Sequence, residues 1–229
     1  MKEHEIFTSA VVLGAGSSMR MGENKLLMKI KNQSVIERTL KTFDNCEKIC
    51  EIVLVCRQED FLEFSKICNT LKTPTKIVNG GETRTHSALK GIDTCNENAQ
   101  IIAIHDGARP LFTEEIVNNA IDSAILNNAV IPVVPVKDTI KIVSNNIVQD
   151  TLNRDSIFSV QTPQVFSLEL IKKATVHALR SRQVFTDDAS CVEAFGATVH
   201  TILGSYDNIK ITTIEDIALA NLIIERRGF

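Results

Sequence analysis

The alternation of short apolar runs with helical patterns along the whole chain constrains the fold most. Runs of strand length at 51–56 (EIVLVC) and 100–105 (QIIAIH) are separated by segments with apolar residues at helical spacing, as at 34–43. Ser34 with Glu37 three residues later predicts a capping box there. Strands that alternate with crossover helices predict an α/β fold, with a mostly parallel twisted sheet flanked by helices.

The same patterns predict the other elements. Strands are expected at 6–13, 76–78, 129–136 and 197–203, and helices at 61–71, 85–92, 113–126, 168–179, 187–195 and 213–227. Pro132 and Pro135 predict that the strand at 129–136 is irregular or lies at a sheet edge, because proline cannot donate to a ladder.

One segment breaks the alternation. Two β-prone runs in 141–151 flank Asn145-Asn146, and asparagine tolerates the positive φ of a hairpin turn. Such a hairpin has no place in a parallel sheet, so we expect a projecting β-arm at about 139–156. We predict one domain over 1–229 with this arm inserted.

Composition excludes several function classes. The chain has 229 residues, with 25 Lys and Arg against 28 Asp and Glu, giving a net charge of −3. This balance argues against nucleic acid as a partner. Apolar runs are too short to span a membrane, and the first residues do not form a secretory signal. The six cysteines show no metal-binding spacing and predict reduced thiols, so we expect a cytoplasmic protein.

A glycine-rich turn, LGAGSSMRMGENK, follows the first predicted strand. Backbone N–H groups of such turns can face an anion. The dinucleotide fingerprint fails because Met19 replaces its third glycine. The Walker A pattern fails because its spacing is wrong and Glu23 replaces the lysine. A nucleotidyltransferase loop, with Arg20 and Lys25 on a triphosphate, and an ordinary surface loop both remain open.

Further motifs follow in one order: GGETRTHSALKGI, HDGARP, VKDTIK, RDSIFSVQTPQVF, TDDAS and DNIKIT. With the first loop, they closely resemble the 2-C-methyl-D-erythritol 4-phosphate cytidylyltransferase family over about residues 11–217. Each motif is weak alone, but their order and spacing are specific. The resemblance implies a Rossmann-like nucleotidyltransferase fold. It also implies that CTP and 2-C-methyl-D-erythritol 4-phosphate are joined with release of pyrophosphate, in the non-mevalonate isoprenoid pathway.

The resemblance also implies roles for residues on the nucleotide side. Arg20 and Lys25 would hold the β- and γ-phosphates, and Lys210 would stabilise charge at the α-phosphate. The remaining nucleotide-binding residues would be Gly14, Ala15, Gly16, Gly81, Arg84 and Ser87. For the glycines a turn, and for Arg84 a salt bridge, stay open as structural alternatives.

On the acceptor side, the resemblance implies binding of a polyol phosphate by Asp106, Arg109, Thr139, Arg154, Thr162 and Thr186. Arg154 would reach the neighbouring subunit's site through the β-arm, so a homodimer is expected. Mg²⁺ would bind mainly through substrate phosphates, with Asp106 and, more weakly, Asp207 beside it. Helix capping is favoured for Asp187 and Asp188, and packing is favoured for His105.

The sequence departs from the family pattern at two places. Asn24 precedes the loop lysine where proline is usual, in a loop about two residues shorter than in many relatives. Gly107 replaces a common alanine in HDGARP. Alternative functions are a ribitol-5-phosphate cytidylyltransferase or another polyol-phosphate cytidylyltransferase, a molybdopterin cytidylyltransferase, and a binding-only regulator. The missing third glycine disfavours an NAD-dependent oxidoreductase.

Overall fold

The structure, a computed structural model, describes residues 6–16, 24–181 and 183–228. Its strands are β1 (Thr8–Leu13), β2 (Lys29–Ile30), β3 (Gln33–Ser34), β4 (Glu51–Cys56), β5 (Thr75–Asn79), β6 (Ile101–Asp106), β7 (Ala129–Pro135), β8 (Lys141–Ser144), β9 (Ile147–Thr151), β10 (Phe158–Val160), β11 (Gln164–Ser167) and β12 (His200–Leu203). Its α-helices are α1 (Val35–Asn45), α2 (Phe61–Cys68), α3 (Arg84–Thr94), α4 (Glu114–Asn127), α5 (Leu168–Ser181), α6 (Asp188–Ala194) and α7 (Ile214–Arg226).

Local capping signals set where several helices begin. The Ser34 hydroxyl accepts from the Glu37 N–H at 3.2 Å, and the Glu37 carboxylate accepts from the Ser34 N–H at 3.4 Å. This reciprocal pair is the predicted capping box, and it satisfies two N–H groups at the start of α1. Thr213 forms a second capping box, with Asp216, at the start of α7.

The main sheet has eight strands in the described part of the chain. The strands follow the order β5-β4-β1-β6-β11-β7. Strand β10 pairs with β7 on the same side as β11, and β12 pairs with β7 on the opposite side. Strands β1, β4, β5, β6, β7 and β12 run in one direction, whereas β10 and β11 run against them. The mostly parallel sheet is therefore confirmed, and the antiparallel pair within it was not predicted.

Of the two alternatives expected from the prolines of β7, the position at a sheet edge is wrong. This strand lies inside the sheet, with β10 and β11 on one side and β12 on the other. The carbonyl of Pro132 accepts from the Gln161 N–H at 2.8 Å. In a β-strand, the N–H and C=O groups of one residue point towards the same neighbouring strand. The missing donor of Pro132 therefore faces the break between β10 and β11, where the ladder needs none.

Helices cover both faces of the main sheet. One apolar layer joins the sheet to α1, α2, α4 and α7, and the second joins it to α3, α5 and α6. In α3, a Cβ on Gly91 would lie 2.4 Å from Cγ1 of Val11, so a larger residue would push the helix off the sheet. None of the helices in the described ranges is long and apolar enough to cross a membrane.

Strands β8 and β9 form a separate two-stranded hairpin with exposed residues throughout. Its turn residues Asn145 and Asn146 have φ values of 50° and 61°. Positive φ at both central residues defines the type I′ hairpin turn, which matches the twist of the strands. The turn therefore forms where the asparagine pair predicted it.

Candidate active site

A cavity of about 370 Å³ lies at the carboxyl ends of the parallel strands. The loop after β1, the turn before α3 and the end of β6 meet there, as expected at this edge of an α/β sheet. The predicted residues that line it are Gly14, Ala15, Gly16, Lys25, Gly81, Arg84, Ser87, Asp106 and Lys210. We call it the nucleotide-side cavity.

The glycine turns of this cavity are tightly constrained. The Gly14 N–H donates to the Val55 carbonyl at 2.7 Å, so this N–H is already used within the protein. The Gly81 N–H donates to the Ser87 hydroxyl at 3.0 Å, and a Cβ on Gly81 would lie 2.4 Å from the Cβ of His86. Gly81 therefore has a packing reason to be small at the entrance to α3.

A second cavity, of about 410 Å³, adjoins the first. Its wall includes Arg109, Thr162 and Thr186, which were predicted on the acceptor side. We call it the acceptor-side cavity. Both cavities are lined by Arg84, Asp106 and Lys210, so these three residues form the boundary between them.

Asp106 is the centre of a compact charge cluster at this boundary. Its carboxylate lies 2.8 Å from Lys210 Nζ, 3.6 Å from Arg84 and 3.9 Å from Arg109 Nε. Burial acts to raise the pKa of Asp106, but the combined effect of Lys210, Arg84 and Arg109 is larger. The pKa of Asp106 is therefore lowered to about 2. Asp106 is therefore ionised, and Lys210, Arg84 and Arg109 place three cations beside it, which could bind phosphate groups.

The segment that carries Lys210 is joined to the loop after β6. Arg109 donates to the Asn208 carbonyl at 2.7 Å, and the Ile211 N–H donates to the Ala108 carbonyl at 2.8 Å. These two bonds lie on either side of Lys210 in the chain. Arg109 thus joins the loop after β6 to the segment that carries Lys210.

Arg84 has a second acidic partner that sequence reasoning missed. Its guanidinium lies 2.6 Å from the carboxylate of Asp188, which is buried at the start of α6. Burial raises the pKa of Asp188, while Arg84 opposes the shift. Gln164 fixes the backbone of Asp188, because its side-chain oxygen accepts from the Asp188 N–H at 3.0 Å.

The capping interpretation holds for one of the two adjacent aspartates. Asp187 caps α6, since its carboxylate accepts from the Ser190 N–H at 3.0 Å. For Asp188 the interpretation was wrong, because its carboxylate pairs with Arg84 rather than with the helix backbone. The TDDAS motif indicated that this segment belongs to the site, but it did not show that Asp188 pairs with Arg84.

His105 is packed rather than exposed to either cavity. Its ring contacts Phe43 and Phe112, and its two nitrogens lie 3.0 Å from the Thr162 hydroxyl and from the Arg109 carbonyl. The Thr162 hydroxyl also accepts from the Asp106 N–H, at 3.1 Å. Burial lowers the pKa of His105 to about 3, so the ring is neutral. The predicted packing role is confirmed.

Three predicted residues within the described ranges line neither cavity. Thr139 and Arg154 are exposed beside the hairpin and line neither cavity, and Arg154 donates to the Lys137 carbonyl at 3.0 Å. Asp207 forms ion pairs with Arg226 and Arg227. Arg20 lies outside the described residues.

The donor set fits a divalent cation that substrate phosphates would carry. Within the described ranges, no group of three His, Cys, Asp or Glu residues could hold a metal alone. Asp106 nevertheless supplies one ionised carboxylate at the junction. Mg²⁺ commonly binds to one or two carboxylates plus phosphates and water, so one carboxylate suffices.

Comparison with known proteins gives consistent matches over nearly the full chain. The chain is 42% identical to a 2-C-methyl-D-erythritol 4-phosphate cytidylyltransferase from Caldanaerobacter subterraneus, covering 95% of this chain and 99% of that protein. It is 41% identical to the one from Alkaliphilus oremlandii, with 96% of each covered. The crystal structure of 4-diphosphocytidyl-2C-methyl-D-erythritol synthase from Anaerococcus prevotii matches with a TM-score of 0.88 and 34% identity, covering 96% of this chain and 97% of that one.

The parallel sheet, the glycine loop at its carboxyl edge and the cationic junction define a nucleotidyltransferase enzyme. A sequence model of one family, described as "IspD: 2-C-methyl-D-erythritol 4-phosphate cytidylyltransferase", matches residues 8–226. The chain belongs to this family of cytidylyltransferases of the non-mevalonate isoprenoid pathway.

Proposed function

We propose that this chain transfers the cytidylyl group of CTP to 2-C-methyl-D-erythritol 4-phosphate. The observation that carries the proposal is the pair of adjoining cavities that share Arg84, Asp106 and Lys210. One cavity can take a nucleotide and the other a phosphomonoester, so that the two phosphates meet at the shared cations. In the reaction, a phosphomonoester oxygen bonds to the α-phosphorus of CTP. The bond from that phosphorus to the bridging oxygen breaks, and pyrophosphate leaves with the electron pair.

On the nucleotide side, Lys25 would bind the β- and γ-phosphates together with Arg20. Lys210 would lie nearest the α-phosphate, since its ammonium is fixed at the boundary of the two cavities. The backbone of Gly14, Ala15 and Gly16, with Gly81, Arg84 and Ser87, would surround the nucleoside and its phosphates. Pre-positioned cations stabilise the charge that builds up on the leaving group, which is the main catalytic term available here.

On the acceptor side, the nucleophile needs no general base. A phosphomonoester is largely dianionic near pH 7, because its second pKa is about 6. The task of the protein is to bring this dianion up to another polyanion. Thr162 and Thr186 line the cavity for it, with Asp106, Arg84 and Lys210 at its boundary with the nucleotide-side cavity. Arg154 and Thr139 would complete its binding from outside this wall.

Mg²⁺ would be held by Asp106 and the phosphates of CTP, and when bound it would neutralise phosphate charge. Lys25 and Lys210 carry out the same screening from the protein. A homodimer is supported by the exposed apolar residues of the hairpin, which are Ile142, Val143, Ile147 and Val148. All six cysteines are unpaired, which suits a reducing cytoplasm.

Pyrophosphate release tests the proposed reaction. The assay contains CTP and Mg²⁺ with either 2-C-methyl-D-erythritol 4-phosphate or ribitol 5-phosphate. We expect release with the first acceptor and not with the second. Release with ribitol 5-phosphate alone would keep the mechanism and overturn the acceptor, whereas no release from the folded protein with either would overturn the reaction. The matched controls are Lys25→Ala, which should lose activity, and Lys173→Ala, an exposed lysine of α5 that lines neither cavity.

A further inference from the structure

The turn that carries Lys25 is closed by the side chain of Asn24, the residue that replaces the usual proline. The Asn24 side-chain oxygen accepts from the Leu26 N–H at 3.0 Å. The Asn24 backbone carbonyl accepts from the Leu27 N–H at 2.9 Å. The first bond forms an Asx turn, in which an asparagine side chain takes the place of a backbone turn, and the second closes a β-turn over the same residues.

This asparagine is anchored from a second part of the chain. Its side-chain amide donates to Asp60 Oδ1 at 2.6 Å, and Asp60 is buried. The other carboxylate oxygen, Oδ2, accepts from Arg57 Nε at 2.8 Å. Both Asp60 oxygens therefore have a donor, and the carboxylate is fixed in the segment that follows β4. The two donor atoms, one on Asn24 and one on Arg57, determine its orientation.

The residue after Lys25 is fixed as well. Leu26 is buried, and its carbonyl accepts from the Ile36 N–H at 3.0 Å at the start of α1. Lys25 lines the nucleotide-side cavity between these two fixed neighbours. A rotation of its backbone would break either the Asn24 contacts or the Leu26 contacts.

We propose that Asn24, held by Asp60, is a positioning residue that sets where the Lys25 ammonium meets the triphosphate. The inference rests on the proposed function, in which Lys25 binds the β- and γ-phosphates. In this chain, side-chain hydrogen bonds do what a rigid proline ring would do by restricting φ. Asn24 and Asp60 touch no phosphate themselves. Their effect reaches the reaction through Lys25.

The first test replaces Asn24 and measures turnover and binding separately. Asn24→Ala should lower kcat/KM for CTP about tenfold, the size expected for one lost hydrogen bond to a charged group. It should weaken binding of inorganic tripolyphosphate, measured by calorimetry, by a similar factor. In a Lys25→Ala background, Asn24→Ala should weaken tripolyphosphate binding no further. An equal additional loss there would overturn a role through Lys25, as would equal binding by the unmutated chain and by Lys25→Ala.

A matched asparagine serves as the control. The Asn96 side-chain oxygen accepts from the Asn98 N–H at 2.9 Å, and its carbonyl accepts from the Ala99 N–H at 3.0 Å. The same type of turn therefore occurs before β6, at the opposite edge of the sheet from the cavities. Asn96→Ala should leave kcat/KM and tripolyphosphate binding unchanged. An equal loss in both variants would assign the effect to general destabilisation and overturn the proposal.

Exchange of donor and acceptor gives a second, independent test. Asn24→Asp keeps the acceptor for Leu26 but places a carboxylate against Asp60, so it should bind tripolyphosphate more weakly. In the double variant Asn24→Asp, Asp60→Asn, the amide at position 60 donates to the carboxylate at position 24, so the hydrogen bond is restored in the opposite direction. We expect this variant to recover most of the tripolyphosphate binding. No recovery in a double variant with unchanged Tm would overturn the proposal. Tripolyphosphate binding needs no acceptor substrate, so these outcomes stay separate from a failure of the proposed reaction.

Discussion

The two adjoining cavities share three charged residues but are built in different ways. The nucleotide-side cavity is formed by turns that directly follow parallel strands and by the start of α3. The acceptor-side cavity is formed against antiparallel β10 and β11 and the start of α6. Two of its predicted ligands, Thr139 and Arg154, lie beside the exposed hairpin. One chain thus brings together most of the predicted nucleotide contacts, whereas the acceptor contacts are divided between the cavity wall and the hairpin.

Loss of Lys210 should affect both cavities and give the largest effect. Its ammonium lies between them, 2.8 Å from Asp106. We expect Lys210→Ala to lower kcat by about 100- to 1,000-fold, as for removal of one preorganised donor at a developing charge. Steady-state pyrophosphate release measures it, with Lys173→Ala as the surface control. A kcat within threefold of the unmutated chain would show that the shared boundary is not where charge develops.

A substitution of Arg154 tests whether acceptor binding can be weakened without a change in CTP binding. If Arg154 serves the acceptor side, Arg154→Ala should lower kcat/KM for the polyol phosphate by about 10- to 100-fold, the range for a charge-assisted contact. The KM for CTP should stay unchanged. Equal losses of kcat/KM for the polyol phosphate and for CTP would instead show that Arg154 acts by supporting the structure of the hairpin.

Mixed dimers test which chain Arg154 serves. An equal mixture of Arg154→Ala and Lys210→Ala chains, allowed to exchange subunits, should recover roughly a quarter of the normal activity, because each mixed dimer holds one site with both residues intact. If Arg154 acts in its own chain, the mixture stays inactive. A monomer by light scattering would also contradict the shared site.

The same contrast separates what the sequence could predict from what it could not. The capping box at Ser34 and the turn at Asn145-Asn146 depend on neighbouring residues, so both were predicted from local chemistry. The insertion of antiparallel β11 between β6 and β7 depends on pairing across the fold, and no local pattern reveals it. Even a strong interaction is not visible in the sequence when its two partners lie far apart along the chain. Arg84 and Asp188 are 104 positions apart, and the salt bridge that was left open for Arg84 could not be assigned to this partner.

Asp188 should affect the nucleotide side more than the acceptor side. Asp188→Asn removes the close charged partner of Arg84 and leaves Asp106, at 3.6 Å, to attract the guanidinium. We expect the KM for CTP to rise about tenfold, equivalent to roughly 1.4 kcal/mol, with a smaller change in kcat. Asp187→Ala is the matched control, because it removes the helix cap next to Asp188, the partner of Arg84. It should lower Tm with little effect on the KM for CTP.

His105 should give the smallest effect on activity and a clear effect on stability. It lies beneath the acceptor-side cavity, where it contacts Thr162, and burial lowers its pKa to about 3. The folded protein therefore holds the ring neutral, while the unfolded chain takes up a proton below a pKa of about 6.5. The resulting stability is present above pH 6.5 and is lost progressively as the pH falls towards 3.

Between pH 7 and pH 5, this linkage should remove about 2 kcal/mol from the free energy of unfolding. Urea denaturation at both pH values measures it, in the unmutated chain and in His105→Gln, which cannot titrate. The difference between the two proteins should shrink by that amount at pH 5, because the other titrating groups cancel in the comparison. A difference that does not depend on pH would show that the ring is not held neutral.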